Sequence, residues 1–418
     1  MQAEQSAGTP NQLTAAQRRR GLITLLTDVI CMNTGFFMVI PLISVHYVDG
    51  LGWAATSIGL ALALRQLVQQ GFTLIGGMVA DQIGVKQLIC MGLVIRIIGF
   101  GLMAWASSLP ILLLSTILAG LGGAMFEAPR LAAVAALTLP EERQRYYSLS
   151  GALAGIGMAL GPFLGSLLLH IDFATVALVG AGCFTLNLIQ MLIMLPQVRV
   201  ATNPGSLGHG LKLVWHDRVF VFYTLLMMGY WFMWVQISIS VPLLVMRITD
   251  SSDTIGIVYT INAFTAVVLQ YPLIRLMARF MRPMLALILG VGLMTLAMGS
   301  AIIANSYPAL LVSVVMFSLA SALVQPLQQT VSASLANPAA LGSFFGFASL
   351  ALAIGGGIGN FSGGLLDDLG KQIGVPALPW IIFFTIGSIS TIGLILLDRM
   401  HERRVATQSV IAQSASPH

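Results

Sequence analysis

Charge is what this sequence lacks. Asp, Glu, Lys and Arg together make up 8% of its 418 residues, against about 25% in an ordinary soluble domain. That leaves too little polar surface to wet a globule, so the solvent for most of the chain is lipid. Cysteine is scarce too. Cys31, Cys90 and Cys183 all lie in apolar runs without CxxC or Cys/His spacing, which excludes a disulfide framework and a zinc site. The six histidines have no metal spacing, and no phosphate-binding glycine loop precedes a Lys-Ser/Thr pair, so ATP hydrolysis by this chain is excluded by motif. The formal charge of +5 is spread over loops without a basic-aromatic surface, which argues against nucleic acid. Residues 1–20 are polar and end in Arg18-Arg19-Arg20, with no cleavable signal.

What remains is apolar: 57% hydrophobic residues, a mean hydropathy of +0.90 and 43 glycines. Glycine is common in membrane helices because it lets backbones approach closely. Crossing the hydrocarbon takes about 20 residues of helix, and twelve such runs occur. Helices 1 to 6 are expected near 21–45, 54–79, 86–106, 109–135, 146–169 and 173–195. Helices 7 to 12 follow near 219–246, 254–277, 283–304, 308–333, 343–366 and 377–398. The expected layout is an N-terminal tail (1–20), a six-helix bundle (21–196), a linker (197–217), a second six-helix bundle (218–398) and a C-terminal tail (399–418).

Lys and Arg set orientation. With the N-terminus inside, fifteen fall on the inner side and only Arg247 and Lys371 on the outer. Both termini are therefore expected in the cytoplasm, and the expected location is a bacterial inner membrane.

The halves echo each other about 198 residues apart. Gly157-x3-Gly161-Pro162-x2-Gly165-Ser166 in helix 5 matches Gly355-x3-Gly359-Asn360-x2-Gly363-Gly364 in helix 11. Glu127-x-Pro129 in helix 4 is echoed by Gln325-Pro326 in helix 10, slipped by one. Parallel repeats of this kind commonly place a substrate site between them near the bilayer midplane.

Gly77-x3-Asp81-x2-Gly84-x-Lys86, between helices 2 and 3, is similar to the loop signature of the major facilitator superfamily. The resemblance covers nearly the whole chain. It implies a twelve-helix, all-α membrane fold of two pseudo-symmetric bundles, and a cytoplasmic gate formed by Gly77, Asp81, Gly84 and Lys86. In that gate Asp81 meets the N-terminus of helix 11, near Ser343, where free N–H groups favour a carboxylate. Gln82 and Val85 stand where Arg is usual. Gly157, Gly161, Pro162 and Gly165 resemble the antiporter motif of the superfamily's exporters. Gly120-x-Gly122-Gly123-Ala124 keeps a third signature, with Thr116 in place of its usual Arg. Gly35-Phe36-Phe37, Gly52-Trp53-Ala54-Ala55, Leu64-Arg65-Gln66 and Ser332-Ala333-Ser334-Leu335-Ala336 resemble the MdtH branch of bacterial multidrug exporters.

An ionisable group in mid-membrane is costly unless paired or hydrated, and marks a candidate site. Asp28, Arg65, Arg96, Glu127 and Arg130 are the proton-coupling candidates. Each has a bland alternative: Asp28 as a tethered acid near the surface, Glu127 and Arg130 as a structural gate pair, Arg65 and Arg96 as ion-pair anchors. The candidate substrate contacts are neutral or aromatic: Asn33, Gln66, Gln69, Tyr230, Trp234, Gln236, Asn262 and Gln325. Tyr230 and Trp234 share a helix face at i, i+4; lipid-facing aromatics are the alternative for helix 7.

The expectation is a proton-driven exporter of small amphipathic or cationic compounds, with no cofactor, functional as a monomer. Two rivals stand beside it: a nutrient importer or facilitator of the same fold, and a non-transporting membrane partner or sensor.

Overall fold

Helix 1 begins where Thr14 accepts the N–H of Gln17 while the Gln17 side chain accepts the N–H of Thr14, a reciprocal cap. From there the computed structural model, which describes residues 14–138, 140–197, 207–337 and 341–414, runs from helix to helix with no strand among the described residues. Within those helices the side chains of 74–82, 128, 132, 135, 140–145, 147–148, 207–211, 341–342 and 401–414 lie outside the described residues.

Among the described residues, eleven helices are long and apolar enough to cross a membrane. Ala55–Ile83, 29 residues long, is a twelfth long helix between the first and third. Helix 1 is Ala15–Gly50, helix 2 Ala55–Ile83 and helix 3 Val85–Met103. Helix 4 is Leu109–Leu137, helix 5 Pro140–Leu169 and helix 6 Phe173–Met194. A short helix, Leu207–His216, lies in the expected linker. Helix 7 comes in two pieces, Arg218–Trp234 and Ser240–Thr249, joined by a 3₁₀ turn at Val235–Ser238. Pro242 follows the break, and a proline has no N–H to continue the ladder through it. Helix 8 is Asp253–Phe280, helix 9 Pro283–Ile302 and helix 10 Tyr307–Leu335. Helix 11 joins Leu341–Leu350 to Gly356–Gln372 through a π turn, and helix 12 runs Leu378–Ser414, well past the expected end at 398. Outward faces stay apolar: Leu186, Ile189, Leu192 and Ile193 on helix 6 are exposed, as lipid contact requires.

The repeat seen in the sequence is a repeat of packing. A Cβ on Gly157, Gly161 or Gly165 would lie 3.0, 2.7 or 2.5 Å from the carbonyl oxygens of Ile30, Thr34 and Met38 on helix 1. At the same offset of 198, Gly355, Gly359 and Gly363 of helix 11 meet Met228, Phe232 and Gln236 of helix 7. Glycine is required at such close backbone approach. Pro162 lies inside helix 5 beside this stripe.

The two bundles meet along helix 2 against helix 11 and helix 5 against helix 8. At the end away from the termini the first seam is closed by Asp368. Its carboxylate accepts the N–H groups of Ala55 (2.9 Å) and Thr56 (2.7 Å) and the Thr56 hydroxyl (2.6 Å). A helix-11 acid thus caps the N-terminus of helix 2, whose free N–H groups favour negative charge. Next to it, Asp367 pairs with Arg247 and Lys371, both at 2.8 Å. These are the two cations expected on the outer side.

Candidate functional site

Between the bundles lies a cavity of about 480 Å³. Asp28, Asn33, Arg65, Gln66, Gln69, Arg96, Glu127 and Arg130 line it from the N-terminal half, and Trp234, Val235, Ser238, Leu352 and Asn360 from the other. All five intramembrane charges singled out in the sequence therefore share one chamber. Helix geometry puts them there. Arg65 and Gln66 each stand one turn from Gln69 on helix 2, and Glu127 one turn from Arg130 on helix 4. The irregular turns Val235–Ser238 and Ala351–Gly355 supply Val235, Ser238 and Leu352 to the opposite wall. Such breaks are tolerated at membrane depth where they line a cavity.

Two circuits of polar contacts fill the chamber. In the first, Asp28 is fully buried. Arg130 Nε donates to its Oδ2 at 2.8 Å and Asn187 Nδ2 to its Oδ1 at 2.5 Å. Helices 1, 4 and 6 are joined through this one carboxylate. Helix 1 starts at Ala15 rather than near 21, so Asp28 lies about 20 Å along it at 1.5 Å per residue. Arg130 is three residues from Glu127 on the same face, yet its partner is Asp28, not Glu127.

In the second circuit, Glu127 is exposed to the cavity and accepts one neutral hydrogen bond, from Gln69 Nε2 at 3.2 Å. Gln69 Oε1 in turn accepts from Arg65 Nη1 at 2.8 Å, and Gln66 Oε1 accepts from Arg65 Nη2 at 3.0 Å. Arg65 is thus anchored by amides rather than by a carboxylate. Arg96, 5% exposed, is held by aromatic faces: its Cζ lies 5.3 Å from the centre of the Phe36 ring, 5.7 Å from Phe100 and 4.8 Å from Phe184. Phe36 also takes Arg65 at 5.0 Å. Desolvated cation–π contacts are worth about 2 kcal/mol, enough to keep a guanidinium in place where no acid is within ion-pair distance.

Four candidate substrate contacts from the second half lie away from this chamber. Gln236 is fully buried. It donates to the carbonyls of Phe232 (2.8 Å) and Gly359 (2.9 Å) and accepts from Ser240 at 2.7 Å. It is a buried tie between helices 7 and 11, with both amide N–H groups taken. Asn262 is buried on helix 8, with Nδ2 at 3.7 Å from Met158 Sδ across the seam to helix 5. Tyr230 has no exposure either. At about 100° per residue, Trp234 projects between Tyr230 and Trp231. Trp234 lines the chamber, while Trp231 lines a second cavity and Tyr230 is buried in the core. Gln325 is exposed, but into that second cavity.

The gate signature is only partly visible. The side chains of Gly77 and Asp81 lie outside the described residues. Gly84 sits at φ +98°, a left-handed turn suited to glycine, and opens helix 3. Lys86 Nζ donates to the Leu192 carbonyl at 2.8 Å, a cation on the last turn of helix 6, where free carbonyls carry negative charge.

Two comparisons decide the family. The model of the Major Facilitator Superfamily matches residues 29–359 and 230–414. The chain belongs to the major facilitator superfamily. It is 41% identical over 392 residues to the multidrug resistance protein MdtH of Proteus mirabilis, covering 94% of this chain and 97% of that one. Its identity to MdtH of Yersinia enterocolitica is 40% over 382 residues, 91% and 95% of the two chains. Solved structures share the fold at low identity. The nucleoside transporter NupG superposes with a TM-score of 0.78 at 12% identity, covering 90% of this chain and 99% of that one. A bacterial homologue of the human lysosomal transporter Spinster, inward-facing and unoccupied, gives 0.77 at 13% identity, covering 93% and 98%. This superfamily member is a multi-pass membrane transporter of small molecules, not an enzyme.

Sequence reading missed three residues that shape the site, Asn187, Phe36 and Asp368, and passed over Trp231 in favour of Tyr230 and Trp234. Asn187 carried a usable signal, an amide in an apolar helix. Phe36 carried none beyond that of any membrane aromatic, and Asp368 lies past the expected end of helix 11.

Proposed function

We propose that this transporter exports small amphipathic compounds, multidrug fashion, by proton antiport and alternating access, as a monomer in a bacterial inner membrane with both termini in the cytoplasm. The observation that carries the reading is the contrast between the two carboxylates of the central cavity. Asp28 is sealed by Arg130 and Asn187. Glu127 meets water and holds one neutral bond, so it is the group free to exchange a proton.

Protonation at Glu127 has a mechanical consequence. As carboxylate it only accepts, and Gln69 presents its NH₂ to it. As carboxylic acid it keeps an acceptor oxygen but gains an O–H donor, and when that donor takes up Gln69 the amide turns its oxygen toward it. That oxygen is the one now held by Arg65 Nη1. A proton on helix 4 therefore loosens a guanidinium on helix 2, and helix 2 carries the seam to helix 11. Substrate entering from the cytoplasm displaces the proton; a proton arriving from outside resets the chamber after release. In this reading the Asp368 cap holds the outer end of the seam shut.

The relatives named as multidrug resistance proteins support export, as does the antiporter motif of helix 5. The test is transport in oriented proteoliposomes. Wild type accumulates an amphipathic aromatic cation only with an imposed pH gradient, and Glu127→Gln loses that dependence. Transport that ignores the gradient in wild type overturns proton antiport and favours a facilitator.

A further inference from the structure

The second cavity, about 270 Å³, lies within the C-terminal half. Several residues that line the charged chamber, shifted by 198 positions, line this one. Asn33 becomes Trp231, Glu127 becomes Gln325 and Arg130 becomes Gln328. Gly151 becomes Ser349, and Ala154 becomes Leu352. Each of these pairs lines its own cavity. Part of the second cavity is thus the image of part of the first under the repeat, with Glu127 and Arg130 both replaced by glutamine.

Its chemistry is uniform. Beside Gln325 and Gln328 stands Gln329, and Ser332 and Ser349 add hydroxyls. No charged side chain among the described residues lines it. Among the described residues the amides of Gln328 and Gln329 make no side-chain hydrogen bond, and the Trp231 indole N–H is buried without an acceptor. A buried donor left unpaired is costly unless something binds it. The two cavities adjoin: Leu352 lines both, and Trp231 in one packs edge-on against Trp234 in the other at 5.3 Å. Together they hold about 750 Å³ (480 and 270), in the range of pockets that take drug-sized ligands.

We infer that this cavity is a second substrate subsite, which takes an uncharged, hydrogen-bonding part of the substrate such as an amide, hydroxyl or nitrogen heterocycle. The inference rests on the proposed export function and gives its substrates a shape. One end sits among the charges of the first half, and a neutral polar arm reaches into the second. A ligand that touches both bundles differs in affinity between their two arrangements, which any transported substrate must do.

The test is direct binding to purified protein of two probes of similar size. One is a basic aryl carboxamide; the other is tetraphenylphosphonium, a cation without hydrogen-bonding groups. Gln325→Ala/Gln329→Ala removes amides from the cavity, and Ser349→Phe fills it. Each is expected to weaken the carboxamide about tenfold, as loss of one or two neutral hydrogen bonds does, while tetraphenylphosphonium changes less than twofold. Equal losses for both probes, unchanged carboxamide affinity, or no carboxamide binding to wild type overturns the subsite. Binding that follows the expected pattern with transport indifferent to the pH gradient leaves the subsite standing and removes proton antiport instead.

Discussion

Replacing Asp28 by Asn and Glu127 by Gln separates structure from coupling, because the two carboxylates are bonded so differently. Asp28→Asn removes the charge that Arg130 and Asn187 both face. Breaking a fully buried pair costs about 3–5 kcal/mol. Arg130 keeps 18% side-chain exposure and lines the cavity, so water recovers part of that. The loss expected is about 2–3 kcal/mol, near the value of one charged hydrogen bond. Glu127→Gln keeps an acceptor for Gln69 and buries nothing new, so its cost is below about 0.5 kcal/mol, that of an ordinary exposed substitution. Thermal unfolding in detergent should therefore drop by several degrees for Asp28→Asn and stay level for Glu127→Gln. In proteoliposomes the order reverses: Glu127→Gln abolishes the dependence on pH gradient, and whatever Asp28→Asn protein folds retains it. An Asp28→Asn protein as stable as wild type but uncoupled, beside a Glu127→Gln protein that still responds to the gradient, would assign the proton to Asp28 and refute the reasoning.

Gly161→Val places carbon within 2.7 Å of the Thr34 carbonyl and 2.8 Å of the Met38 nitrogen; overpacking of this order costs about 1–3 kcal/mol, to be read as lowered yield and melting temperature, with Gly359→Val matching it in the other half. Asp368→Ala removes three hydrogen bonds from the start of helix 2. At about 1–2 kcal/mol for a lost cap, the outer seam should open roughly tenfold more often, measured as faster labelling of an Asn33→Cys thiol by an impermeant maleimide from the outer side. Gln236→Leu strands the Gly359 carbonyl and should lower stability by about 1–3 kcal/mol with substrate affinity unchanged; weaker binding at equal stability would return Gln236 to the site.

Much of the molecule was legible in residues alone because membrane structure is governed by two one-dimensional quantities, hydropathy and loop charge. Twelve apolar runs, the glycine stripe and its recurrence at offset 198 all read directly from the chain. So did the five charges, since lipid makes each of them conspicuous. Their partners did not read. Arg130 at i+3 from Glu127 was the obvious local pair, yet helix 1 brings Asp28 closer. Neutral residues read worst: Gln236 and Gln325 look alike in sequence, but one is a sealed tie and the other faces a cavity.

The sequence by itself determined the solvent, the number of crossings, the twofold plan and the list of groups too costly to leave facing lipid. Those follow from transfer free energies, which each segment carries with it. Only the tertiary structure decided which carboxylate is locked and which is free, that two arginines rest on aromatic rings, and that a helix-11 acid caps helix 2. Pairing across helices depends on rotation and depth, and a residue's own neighbours in the chain do not encode either.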